Sequence, residues 1–220
     1  MSISDLTPEN TITDENGNVL GISDNPLYTT SMLSGFNDNF LDNSKRLKVS
    51  TPETIMYHNA LELLDEVRYF STLTSGGGSV TRDTSTASYK LSLGTTSGDK
   101  AIIETRRHVE YVRGNPQEID MTGRFEAGKT GLRQRYGYFS DTHGLFFEVD
   151  GTTAYVVKRS SLSGSAVDTR VAQTSWNVDT LDGTGPSGVN YNLATGNKQL
   201  FMAIDFLWLG SYFARFYIAY

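Results

Sequence analysis

The chain contains no cysteine. Disulfide scaffolding, thiolate nucleophiles and Cys-based zinc sites are excluded together by that one absence. It has 3 histidines, His58, His108 and His143, far apart and without His-x-His or His-x-x-x-His spacing. A histidine metal site or an acid–base pair therefore has no support in the spacing. No uninterrupted apolar run approaches the roughly 18 residues a membrane span needs. No basic opening followed by an apolar segment marks a signal peptide, so synthesis in the cytoplasm without membrane insertion is expected. A basic surplus is also lacking: 19 Lys and Arg face 25 Asp and Glu, a formal net charge of −6. An acidic surface cannot displace counterions from a phosphate backbone, so no nucleic-acid partner is expected. Proline is scarce, at 5 residues.

Glycine is present in quantity, with 21 residues, and so are short apolar-aromatic segments that alternate with Gly, Asp, Ser and Thr turns. Arg135–Phe139, Leu145–Val149 and Thr152–Arg159 read as consecutive strands, the last two joined at Asp150-Gly151. An Asp-Gly turn between alternating segments is a strong hairpin signal. Ser88–Leu93, Ala101–Arg113, Gln117–Thr122 and Ala166–Thr174 add further strand candidates. Strands separated by turns at intervals of ~8–12 residues imply an antiparallel sandwich or jelly roll. The expected fold is an all-β antiparallel sandwich, jelly-roll-like, over residues 36–220, behind an extended arm over 1–35. The arm is polar and turn-rich, with too little apolar surface to offset its ordering entropy unless it docks to a larger assembly.

The one helix candidate is Pro52–Phe70, where Thr51 could cap, Pro52 fits the first turn and Ile55, Leu61, Leu64 and Val67 share a stripe. Val67–Leu73 is equally rich in strand formers, which keeps a β alternative open. Thr74–Ser79 carries three successive glycines and reads as a flexible loop. Leu200–Tyr220 holds 8 aromatic residues and is almost continuously apolar. Such a segment reads as a strand buried on both sides, against neighbouring subunits, or as the end of a chain cut short in mid-domain.

Several local patterns match chemistry only in outline. Gly123-Arg-Phe-Glu-Ala-Gly128-Lys129-Thr130 fits the phosphate-loop pattern. The segment that follows reads as a strand, whereas phosphate binding needs a helix N-terminus there. A β-turn loop is the expectation. Asp179–Gly188 could wrap a calcium ion, but it lacks a full acidic ladder and reads as a loop held by Asx turns. No Gly-x-Ser-x-Gly elbow follows a strand. Glu104, Glu110, Glu118, Glu148 and Asp205 lie on strand-like segments and are the candidates for a glycosidase pair, which needs two facing acids. Solvated strand faces explain them better, and Arg133 with Arg135 likewise. Trp176 and Trp208 read as core anchors. No catalytic residue, metal ligand or cofactor is assigned.

One ordered series of segments resembles a family of tailed-bacteriophage virion structural proteins. It runs through Arg46–Ile55, Thr95–Ala101, Gly131–Phe139, Gly144–Glu148, Val156–Ser160, Val167–Asn177, Leu181–Gly188 and Ile204–Gly210. Asn25-Pro26-Leu27 in the arm resembles the short element that precedes such domains. The resemblance implies a non-enzymatic virion component: a tail fibre or host-attachment module, or in second place a capsid decoration or head-fibre protein. It implies other virion proteins as partners, a homo-oligomer with a trimer favoured, and a host surface glycan as a further ligand. It transfers no catalytic residue. A virion-associated carbohydrate-processing enzyme is the rival of another class. Family members continue past the Trp208-Leu209-Gly210 element with further strands, so a shortened domain or one completed by another subunit is expected. Asn25, Pro26, Leu27 and Tyr28 in the arm, with Phe213, Phe216, Tyr217 and Tyr220, are the expected partner contacts.

Overall fold

The computed structural model describes residues 53–58, 60, 70–107, 109, 115–208 and 212–219. All of them belong to the unit Pro52–Tyr220; the expected arm over 1–35 and its boundary lie outside the described residues. The fold is all-β and antiparallel, with two 3₁₀ turns as its only helical pieces among the described residues.

A first group of strands comprises β1 (Phe70–Ser75), β2 (Ser79–Asp83), β3 (Ser88–Ser92) and β4 (Lys100–Thr105), with β1 paired to β4 and β2 to β3. Glu53–His58 carries no helix, and Phe70 opens a strand. The helix expected from Pro52 gives way to the β alternative where it can be seen; its middle lies outside the described residues. Phe-Ser-Thr-Leu-Thr-Ser is a run of strand formers, and cross-strand pairing with Lys100–Thr105 decides its form. The triple glycine is a tight corner rather than a flexible loop. The Asp99 carboxylate accepts from the Gly77 amide at 2.9 Å, and a Cβ on Gly78 would lie 1.8 Å from the Lys100 carbonyl oxygen.

The second group makes two sheets around one core. β6 (Arg133–Phe139), β7 (Gly144–Asp150), β8 (Thr153–Ser160) and β9 (Val167–Ala172) form a four-stranded meander. β5 (Gln117–Gly123), β10 (Leu200–Trp208) and β11 (Tyr212–Ala219) form a three-stranded sheet in the order β11-β10-β5. Leu145, Phe147 and Val149 from the first sheet share a buried cluster with Leu200, Met202 and Ile204 from the second. This is the sandwich, built by period-two alternation on both sheets. Among the described residues, β5 pairs with β10 across the long interval of chain that forms the four-stranded meander. The hairpin between β7 and β8 closes at Asp150 and Thr153, so the two loop residues are Gly151 and Thr152. Gly151 takes a φ of 61°, which suits the first loop position of a primed turn.

Candidate functional site

β7 is buried on both faces. Its odd-numbered residues enter the core, whereas Phe146, Glu148 and Asp150 share the opposite, outer face of the four-stranded sheet. The register places Arg133 opposite Asp150, Arg135 opposite Glu148 and Gly137 opposite Phe146. On the other side, Glu148 faces Tyr155 and Phe146 faces Val157, and β9 adds Asp168 opposite Arg159 and Arg170 opposite Val157. Four strands thus bring four arginines and three carboxylates to one surface.

Phe146 and Glu148 are 0% exposed although they lie on the outer face. Guanidinium groups help cover them. Arg135 and Arg159 stand over the Phe146 ring at 5.2 and 5.3 Å, and Arg170 over Tyr155 at 5.8 Å. A planar, weakly hydrated cation over an aromatic face suits this role better than an ammonium group would.

Glu148 is the hub. Arg135 Nε donates to its Oε2 at 2.7 Å, and Arg133 Nε lies 3.8 Å from the same oxygen. Arg170 Nε stands 2.8 Å from Oε1, near enough for an ion pair but without hydrogen-bond alignment, so charge alone holds that oxygen. A buried carboxylate is tolerated only when its charge is matched, and three guanidiniums match it here. A second node is Asp168, which accepts from Arg159 Nε at 2.8 Å and from a second Arg159 nitrogen at 2.9 Å. This two-point bond holds the Asp168 carboxyl below its ordinary value and raises Arg159. Asp150, bonded to Arg133 at 2.8 Å, raises that arginine in the same way.

The other sequence candidates are placed as follows. In the Gly123–Thr130 segment, Phe125 is fully buried and the Gly128 amide donates to the Ala194 carbonyl. Gln134 clamps the Glu126 backbone through two hydrogen bonds, and β6 follows where a helix would be needed. The segment is a core-anchored loop, as expected. Asp179 accepts from the amides of Leu181 and Ser187, and Asp182 from Thr184. These bonds, from Ser187 and Thr184 first, hold both carboxyls below their ordinary values, which is the Asx-turn reading. Gln173, 7% exposed, ties this loop down by donating to the Thr180 and Tyr191 carbonyls and accepting from the Leu193 amide.

Among the histidines, His58 meets Phe70 at a 48° tilt and stacks with Tyr89, and His143 Nε2 lies 3.4 Å from Ser161 Oγ in a surface turn. His108 and Glu110 lie outside the described residues. Glu104 takes a long bond from Ser71 at 3.4 Å. Glu118 and Asp205 are direct cross-strand neighbours, but Asp205 is 1% exposed. Trp176 packs against the core and donates to the Val171 carbonyl, whereas the side chain of Trp208 lies outside the description.

The expected partner contacts divide. Asn25, Pro26, Leu27, Tyr28 and Tyr220 lie outside the described residues, as does the side chain of Phe213. Phe216, partly buried, packs against the core and meets Phe147 edge-on at 5.1 Å, because β11 turns its even-numbered positions inward. Tyr217 shares the opposite, outer face with Arg215. The sequence reading missed the arginine–carboxylate face. Its trace was there, in charges two apart on successive strands (Arg133 with Arg135, Glu148 with Asp150, Asp168 with Arg170), but only the strand register shows that they meet.

Comparison with known protein families, with curated proteins and with solved structures finds no match for this chain.

Proposed function

We propose that this chain is a non-enzymatic structural protein of a tailed-bacteriophage virion, a tail fibre or host-attachment module that works as a homo-oligomer. One observation carries the reading. Of the segments that resemble the virion family, Gly131–Phe139, Gly144–Glu148, Val156–Ser160 and Val167–Asn177 correspond to β6, β7, β8 and β9 with the turn after it. They contain Arg133, Arg135, Glu148, Arg159, Asp168 and Arg170, six of the seven charged residues of the outer face. The resemblance therefore falls on the residues that build the one continuous polar surface described above.

That surface suits a glycan. Arg133, Arg170, Asp150 and Asp168 keep partial exposure beside Phe139 and Tyr155, and sugar hydroxyls need both donors and acceptors. Many weakly bound copies on one particle gain avidity without a deep pocket. A capsid decoration or head-fibre protein is the second reading within the same class.

A carbohydrate-processing enzyme draws on the pairing of Glu118 with Asp205, since directly opposed strand residues approach a retaining pair's separation. The burial of Asp205 weighs against it, because a sugar could not reach that carboxylate. Mass spectrometry of purified particles from the phage encoding this chain tests the proposal. Recovery in stoichiometric amount with the other structural proteins is expected, and absence from washed particles would overturn it.

A further inference from the structure

The outer face of the four-stranded sheet carries one cation more than it carries anions: Arg133, Arg135, Arg159 and Arg170 stand against Glu148, Asp150 and Asp168. The chain as a whole runs the other way, with a net charge of −6. Three of the guanidiniums have a carboxylate of their own. Arg159 holds Asp168 at two points, Arg135 donates to Glu148 at 2.7 Å, and Arg133 donates to Asp150 at 2.8 Å.

Arg170 is the surplus cation, because it shares carboxylates that are already engaged. Its Nε lies 2.8 Å from Glu148 Oε1 without hydrogen-bond alignment, and a terminal nitrogen lies 3.7 Å from Asp150 Oδ2, too far for a bond. Arg170 is nevertheless held in place. Its guanidinium lies over the Tyr155 ring at 5.8 Å, and the charge of the fully buried Glu148 draws it to the sheet. The side chains of Arg170 and Arg133 stay 32% and 48% exposed. A positioned guanidinium that is open to solvent and has N–H groups to spare has lost much of the freedom that binding would otherwise cost it.

We propose that Arg170, with Arg133 beside it, receives the carboxylate of an acidic sugar, a uronic or sialic acid unit of a surface glycan. The inference rests on the attachment reading above and names the class of glycan. Asp150 shows what fits there: its Oδ2 lies 2.8 Å from a terminal nitrogen of Arg133 and 3.7 Å from one of Arg170. A ligand carboxylate meets the same two planar forks, whose geometry matches its own. One negative charge also matches a surplus of one. A phosphate monoester, nearly doubly charged, would set its second charge against Asp150, and a sulfate ester has the charge without the plane.

An array that pairs uronic and sialic acid oligosaccharides with their methyl esters, and also carries sulfated and neutral sugars, is probed with the full chain. Binding to the free acids is expected, lost on esterification and weakened as salt rises. Titration calorimetry with the best-bound acid then compares two variants of opposite expected sign. Arg170→Gln should weaken binding about tenfold. Asp150→Asn, which removes the resident competitor, should tighten it a few-fold. Circular dichroism matching the parent separates either effect from a lost fold. Binding to neutral or sulfated sugars alone, binding to no sugar, or an acid bound equally by the parent and both variants would overturn the inference. The attachment reading is decided separately, by recovery of the chain in washed particles, so a chain found there that ignores acidic sugars contradicts this inference alone.

Discussion

Arg135 Nε lies 2.7 Å from Glu148 Oε2, and that carboxylate has no solvent exposure although it stands on the outer face of its sheet. The pair is the centre of a surface whose members hold one another in place. Glu148→Leu would leave Arg133, Arg135 and Arg170 facing one another with only Asp150 and Asp168 between them. It should destabilise the fold by roughly 3 kcal/mol, the low end for a broken buried pair because Arg133 and Arg170 keep partial access to water. Adding Arg135→Met should recover part of the loss. Urea unfolding of the single and double variants measures both effects, and additive losses would show that the two residues act separately.

The Asp168–Arg159 pair predicts a pH dependence with a definite sign. Its carboxyl is held below the ordinary value, so the folded state binds the proton less readily than the unfolded chain. The stabilisation is complete above the unfolded value and is lost as the pH falls through the folded one. Thermal unfolding of the parent should therefore weaken below about pH 4 more steeply than that of Asp168→Asn. Parallel curves would show that the pair contributes nothing to acid stability.

Gln173 satisfies three backbone groups with one amide, two of these bonds being buried. Gln173→Leu keeps the bulk and strands two carbonyls and one amide, a loss of roughly 3 kcal/mol overall. The Asp179–Gly188 loop should lose its hydrogen-exchange protection before the sheets do. Uniform loss across the fold would instead place Gln173 in the global core.

Gly123 predicts a steric effect. A Cβ there would lie 2.6 Å from Cε1 of Tyr136, whose ring also meets Phe125 edge-on at 5.0 Å. Gly123→Ala should destabilise by about 1–3 kcal/mol. Tyr136→Leu in the same chain should relieve part of it, readable as a rise in Tm over Gly123→Ala alone.

What could be read from sequence was local. The strands from Arg133 to Ser160 and the hairpin at Gly151 follow from alternation and turn residues close together in the chain. The pairing of Gln117–Gly123 with Leu200–Phe206 was not legible, because nothing near either segment specifies a partner so distant in sequence. The same limit hid the charged face. Glu148 looks like a solvated strand residue until β6 and β9 are laid beside it and their arginines close over it. Leu200–Tyr220 read as one apolar stretch, whereas two strands folded on each other divide its aromatics between core and outer face. At Pro52–Phe70 propensities favoured neither state, and the pairing of Phe70–Ser75 with β4 determined the part that is described.

The measurement that bears most directly on the proposed virion role is gold-antibody labelling of intact tailed-phage particles recovered from the source of this chain, viewed by electron microscopy. The account predicts label on tail fibres or at the tail tip, with label over the head identifying the decoration or head-fibre reading. Particles that bind no label, while the same antibody recognises the purified chain, would contradict it.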